Sequence, residues 1–244
     1  MSDTDLDLSI VLPAHNEVAL LGSTVTNLTS GLAGRDLGYE IIIVENGSHD
    51  ATLELAEALA AEVPGVRVLT LPRGDYGAAL EAGILSATGR FVATFDVDYY
   101  DLRFLRKALE ILASTDAGIV IASKRAAGAD DQRALLRRAM TLGLMFVLKH
   151  LLDLRASDTH GMKVIRREQL LGVIGETVMR DSLFDVEYVL RAQRAGIRIE
   201  ELPATVVELR PARTAIVRRA VRATNDIVRL RRLLGKPPAQ LGAG

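Results

Sequence analysis

The stretch RFVATFDVDYYD, residues 90–101, runs an apolar segment straight into the carboxylates Asp96, Asp98 and Asp101. A short, continuously apolar segment reads as a strand buried on both faces, the pattern of parallel sheets. Acids at its end then stand where open α/β sheets hold ligands, outside the carboxyl ends of the strands. The rest of the first half repeats this organisation. LSIVLP, YEIIIVEN, VRVLTL and AGIVIAS read as further strands, separated by helix-period segments over about 17–33, 48–61, 77–87 and 102–114. Each strand ends in polar residues: PAHNE, ENGSHD, PRGDYG, DVDYYD and SKR. The expected fold class is α/β, a mostly parallel sheet with helices on both faces.

Composition narrows the partners. With 244 residues, 49% of them apolar, the chain suits one domain with a full core. A net charge of −1 gives no whole-molecule attraction for nucleic acid, and the few aromatic residues offer little for base stacking. The absence of cysteine excludes disulfides, thiolate catalysis and thiolate-ligated metals. The acidic start MSDTDLDL does not read as a secretory signal, which suggests a cytoplasmic protein. The apolar run AMTLGLMFVL, residues 139–148, is shorter than the ~20 residues a bilayer-spanning helix needs.

Beyond residue 125 the pattern changes. A loop, AGADDQ, precedes an amphipathic helix expected over about 133–154. SDTHGMKVIRRE reads as a strand and turn, SLFDVEYVLRAQRAG as a helix ending at Gly196, and IRIEELPATVVELR as a strand pair or one extended strand. The tail from residue 210 carries Arg210, Arg213, Arg218, Arg219, Arg222, Arg229, Arg231, Arg232 and Lys236 against Asp226, and is expected to be a basic helix. The chain thus divides into a domain over 1–209 and a tail over 210–244.

Crowded carboxylates repel, so Asp-x-Asp at a strand end suits a cationic ligand. Magnesium and manganese take oxygen donors, often one or two carboxylates plus substrate phosphates. A solvated loop is the alternative for so common a tripeptide. In VENGSHDAT, Gly47 permits a tight turn and Ser48 can cap the next helix, while Glu45 and Asn46 could accept hydrogen bonds from a nucleobase or ribose. Asn16 in PAHNE is either a helix cap or a ligand contact.

Taken in order, SIVLPAHNE, IIIVENGSHDAT, GDYGAALEAGILSATGRFVATFDVD and SDTHGMKVIRRE with FDVEYVLRAQRAGIRIEELP resemble family-two glycosyltransferases of the GT-A fold. Within them the chain is similar to synthases of polyprenyl-phosphate sugars, over roughly residues 8–215. The resemblance implies inverting hexosyl transfer from a nucleotide diphosphate sugar of the GDP-mannose or UDP-glucose type, with Mg2+ or Mn2+. It implies that Pro13, His15, Asn16, Glu17, Glu45, Asn46 and Gly47 hold the nucleoside. Asp75 is assigned to the same nucleotide-sugar site. Asp96 and Asp98 would meet ribose and metal-bound diphosphate, with Asp98 also counted as catalytic. The chain departs from the family pattern at Glu45-Asn46, at Tyr100 in place of a glutamine, and at GDYG in place of GKG.

The acceptor decides what else is needed. A polyprenyl monophosphate is already anionic and requires cationic groups, for which Arg125, Arg137, Arg210 and Arg213 are the candidates. The resemblance favours Arg125, also counted as catalytic, and Arg210. A sugar or metabolite hydroxyl would need a base. Asp185 is then the catalytic nominee, with Asp158 and Asp181. The amphipathic helix and basic tail suit a peripheral site at the inner face of a membrane. A homo-oligomer and a catalytically silent scaffold remain open.

Overall fold

The computed structural model describes residues 6–126, 130–131, 135–159, 161–180, 183–206 and 226–235, with side chains left aside at 130–131, 135–141 and 205–206. Strands β1 (Leu8–Ala14), β2 (Tyr39–Asn46), β3 (Val66–Leu71) and β4 (Phe91–Thr94) alternate with helices α1 (Leu21–Leu32), α2 (Thr52–Glu62) and α3 (Tyr76–Ser86). Helix α4 (Leu102–Ser114), β5 (Ile119–Ser123), β6 (Asp130–Asp131) and α5 (Leu135–Leu152) follow. The last part contains β7 (Lys163–Arg166), α6 (Arg167–Gly175), α7 (Phe184–Arg194), β8 (Ile199–Pro203) and β9 (Thr205–Val206). A further helix, α8, spans residues 226–234.

Seven strands form one sheet in the order β3-β2-β1-β4-β7-β5-β8. All neighbours are parallel except β7, which runs antiparallel to both β4 and β5. The expected mostly parallel α/β fold is therefore present. Because side chains alternate along a strand, each strand feeds two cores. Ile10, Leu12, Ile41, Ile43 and Phe95 pack with α1 and α4 on one face. Val11, Ile42, Val44, Val92 and Ile165 pack with α3, α6 and α7 on the other. Burying each such aliphatic side chain contributes roughly 1.5–3 kcal/mol, and Val11, Ile42 and Ile165 are wholly buried.

Several expected boundaries shift for local reasons. The helix expected from 17 begins at Leu21, because the preceding residues are committed to contacts with the second strand's turn: Asn16 N–H donates to Ser48 Oγ and Glu17 N–H to Thr52 Oγ1. β4 ends at Thr94; Phe95 N–H makes one more bond to the Val11 carbonyl, and Asp96 and Tyr99 then exchange backbone hydrogen bonds in a tight turn. Helix α6 was not expected from the sequence; it begins in the last two residues of SDTHGMKVIRRE and buries Leu170 and Ile174. The described part of the segment after α7, residues 197–206, holds two short strands that do not pair with each other. β8 pairs with β5, and β9 pairs with β6 in a separate two-stranded sheet. The tail's α8 packs on the domain through the buried Ile227 and Leu230, and Arg194 Nη1 donates to the Leu234 carbonyl at 2.7 Å.

Candidate active site

The carboxyl ends of β1, β2, β3 and β4 share one edge of the sheet, and a cleft of about 350 Å3 opens there. Pro13, Ala14, His15, Glu17, Asn46, Gly74, Tyr76, Asp96, Val97 and Asp98 line it. Of the residues expected to hold the nucleotide sugar or metal, Pro13, His15, Glu17, Asn46, Asp96 and Asp98 thus converge on one space.

One wall is held by a local lattice of hydrogen bonds. His15 Nδ1 donates to the Asn46 carbonyl at 2.7 Å, and its Nε2 accepts from Asn16 Nδ2 at 3.1 Å, both satisfied by the Nδ1–H tautomer. Asn16 adopts φ 57° and its Oδ1 accepts from His49 N–H. It is therefore a clasp between two loops, and does not cap α1, which starts at Leu21. Asn46 Oδ1 accepts the Asp75 N–H at 2.9 Å. Gly47 has φ +63°, and a Cβ there would stand 2.9 Å from the Arg73 Cα, so turn and neighbouring loop both demand glycine.

Glu45 and Asp75 do not line the cleft. Glu45 is 2% exposed and its Oε1 accepts the Ser48 N–H, so the acid that a plain strand–turn–helix reading leaves over is used to close the turn. Asp75 caps α3 by accepting from Ala78 N–H. Asp101, gathered with the other aspartates in sequence, caps α4 through the N–H groups of Arg103 and Phe104. Tyr100 accepts a hydrogen bond from Asn27 Nδ2 at 2.8 Å.

Opposite this wall, alternation places Thr94 and Asp96 on the α3/α7 face of the sheet. Strand register sets Lys163 beside Thr94 on the same face. Lys163 is 1% exposed, and its Nζ donates to Asp185 Oδ1 at 2.8 Å and to the Gly161 carbonyl at 2.9 Å. Asp185 stands in the first turn of α7 and is 4% exposed. The buried Tyr188 ring lies 5.8 Å from Lys163 Nζ, and burial followed by the Asp185 charge pushes its hydroxyl well above the ordinary range. Sequence reading did not pick out Lys163 or Tyr76. A lone lysine inside the apolar run MKVI is a visible signal, because an unpaired buried ammonium is costly. Tyr76 carries no such signal.

Tyr76 Oη donates to Asp96 Oδ1 at 2.9 Å. Burial raises the Asp96 carboxyl to about 6; the Tyr76 hydrogen bond and Lys163 oppose that rise, while Asp185 and Asp98 add to it. Two cleft-facing carboxylates in mutual repulsion fit a hard divalent cation. Among the described residues, no group of three or more His, Asp or Glu side chains gathers as a metal cage. Asp96 and Asp98 would therefore share such an ion with the phosphates of a ligand.

Of the expected acceptor arginines, the one whose side chain is described, Arg125, does not line this cleft. Arg125 is exposed at the end of β5, its N–H bonded to the buried Ser123 Oγ at 3.1 Å. Arg137 falls in α5, but its side chain lies outside the described set, and Arg210, Arg213 and Asp181 lie outside the described residues altogether. Asp158 is 1% exposed and its Oδ2 accepts from Lys124 N–H.

A strand-end cleft with paired aspartates on a mixed seven-stranded sheet matches the GT-A fold that the sequence resemblance implied. A family model described as glycosyl transferase family 2 matches residues 9–175, and the chain belongs to that family. It is 28% identical over 240 residues to a dolichyl-phosphate beta-glucosyltransferase of Dictyostelium discoideum, covering 92% of this chain and 73% of the relative. A dolichyl-phosphate beta-glucosyltransferase of Trichomonas vaginalis is 29% identical over 208 residues, covering 80% of this chain; the chain spans 64% of that relative's length. The fold superposes on a glucosyl-3-phosphoglycerate synthase from Mycobacterium tuberculosis, crystallised with Mn2+, UDP and glucosyl-3-phosphoglycerate, with a TM-score of 0.65 at 21% identity over 98% of this chain and 83% of that one.

Proposed function

We propose that this protein transfers a hexose, glucose by preference, from a nucleoside diphosphate sugar to a polyprenyl monophosphate, with inversion and with Mg2+ or Mn2+. The observation that carries the acceptor is the state of the two candidate bases that the structure describes. Asp185 is buried and held by the Lys163 ammonium, and Asp158 is buried against Lys124. Neither lines the cleft. A hydroxyl acceptor needs an accessible base, whereas a phosphate monoester is anionic from the start. The names of the two dolichyl-phosphate relatives support the same reading.

In this reading Pro13, His15 and Asn46 enclose the nucleoside, and Asp96 and Asp98 hold the ion. The cation supplies charge neutralisation for the departing nucleoside diphosphate. Arg125, with Arg137, Arg210 and Arg213, would bind the acceptor phosphate through guanidinium forks. Access to a lipid is supported by α5, which buries Met145, Leu148 and Leu152 but leaves Leu142 51% and Phe146 63% exposed beside the exposed Lys149. Among the described residues, no helix is long and apolar enough to cross a membrane, so the contact proposed is peripheral.

The test is transfer of labelled sugar from UDP-glucose or GDP-mannose to polyprenyl phosphate in anionic vesicles, with a soluble phosphorylated acceptor in parallel. Label moving from UDP-glucose into the lipid phase, lost with a chelator and in Asp98→Ala, is the expected result. Transfer to the soluble acceptor alone, or to neither, would overturn the reading.

A further inference from the structure

Tyr76 opens α3 directly after the capping Asp75 and stands on the cleft wall, 41% exposed as a residue. Much of what that helix start has to offer is already used within the protein. The Asp75 N–H donates to Asn46 Oδ1, and the Ala78 N–H donates to both Asp75 Oδ1 at 3.2 Å and the Arg180 carbonyl at 3.1 Å. The ionisable side chains lining the cleft are Glu17, Asp96, Asp98, His15 and Tyr76, and no lysine or arginine lines it among the described residues. A polyanionic ligand entering there meets acids on the floor and a tyrosine hydroxyl at the helix start. That hydroxyl is bound to one oxygen of Asp96 at 2.9 Å.

We propose that Tyr76 is a positioning residue for donor binding: its hydroxyl pins Asp96 Oδ1 to α3 and leaves Oδ2 for the ribose or the ion-bound diphosphate. This rests on reading the cleft as a nucleoside diphosphate sugar site. Rotation about the last bond of an aspartate is loosely restrained, so a carboxylate at a turn gains a defined orientation only from a partner. A hydrogen bond to a charged group is strong enough to supply it. Tyr76 works here without a charge of its own, so it orients the acid without competing with it for a cation.

The experiment is calorimetric titration of wild type, Tyr76→Phe, Asp96→Asn and the double variant with UDP and GDP in the presence of Mn2+, alongside thermal midpoints. Phenylalanine keeps the wall and removes only the hydroxyl. The expected result is an unchanged midpoint for Tyr76→Phe with affinity reduced about tenfold for the nucleotide that wild type binds. The double variant should bind about as weakly as Asp96→Asn, because the hydroxyl acts through that carboxylate. Unchanged affinity in Tyr76→Phe, or two losses that multiply, would overturn the role of Tyr76 while leaving the cleft assignment intact. Wild type binding neither nucleotide would overturn both.

Discussion

At the amino end of the sheet, Glu40 is 6% exposed and surrounded by donors; at the carboxyl end, Asp96 has the Tyr76 hydroxyl and two acidic neighbours. Glu40 accepts from Ser9 Oγ at 2.6 Å, Thr88 N–H at 2.9 Å, Thr88 Oγ1 at 2.7 Å and Arg67 Nε at 2.7 Å. Burial alone would raise its carboxyl, but those bonds outweigh it and bring it down to about 2. Asp96 goes the other way, up to about 6. One acid is satisfied by the chain that carries it and braces β1, β2 and β3. The other is left short of positive partners at the carboxyl edge, where open α/β sheets hold ligands, as expected of a site that something else completes.

The largest effect tests whether another buried acid, Asp185, is treated as Glu40 is. Removing its cation in Lys163→Met leaves a buried carboxylate without its ion pair and is expected to cost about 3–5 kcal/mol in urea unfolding. A loss under 1 kcal/mol would mean that the pair contributes nothing to the fold.

A smaller effect is expected at the other end. Because the folded Glu40 lies below its ordinary value of 4.5, its stabilisation is fully present above that pH and is lost as pH falls toward about 2. Glu40→Gln should therefore cost about 3 kcal/mol at pH 7, with the deficit shrinking steadily below pH 4.5. A deficit independent of pH would show that shape rather than charge is at stake.

The smallest change has the opposite sign. Asp96 rises from 3.8 to about 6 on folding, so its ionisation destabilises the protein as pH climbs through that window. Asp96→Asn should be neutral below pH 4 and stabilising by about 1–2 kcal/mol above pH 6, after allowance for partial solvent screening. The same variant should lose metal-dependent nucleotide binding. Destabilisation at neutral pH would erase the contrast with Glu40.

The sheet strands and the helices of the first half were legible because hydrophobic period and turn residues report them locally. The strand-end placement of His15, Asn46, Asp96 and Asp98 was legible too, since polar residues there stand out against apolar runs, whereas Pro13 came only from the family resemblance. What sequence could not separate was acids of similar appearance. Asp96, Asp101 and Asp75 sit at comparable strand-to-helix junctions, yet Asp101 and Asp75 cap helices while Asp96 faces the cleft. The use of Glu45 inside its own turn was equally invisible.

By itself the sequence determined an α/β sheet with a polar carboxyl edge, because burial and backbone pattern act over neighbouring residues. The tertiary structure decided that β7 enters antiparallel and delivers Lys163 to Asp185 across 22 positions of chain. It also decided that Tyr76 meets Asp96 across 20. Such partnerships depend on strand order and on which face each residue takes, and both are fixed only when the two cores close together on the sheet.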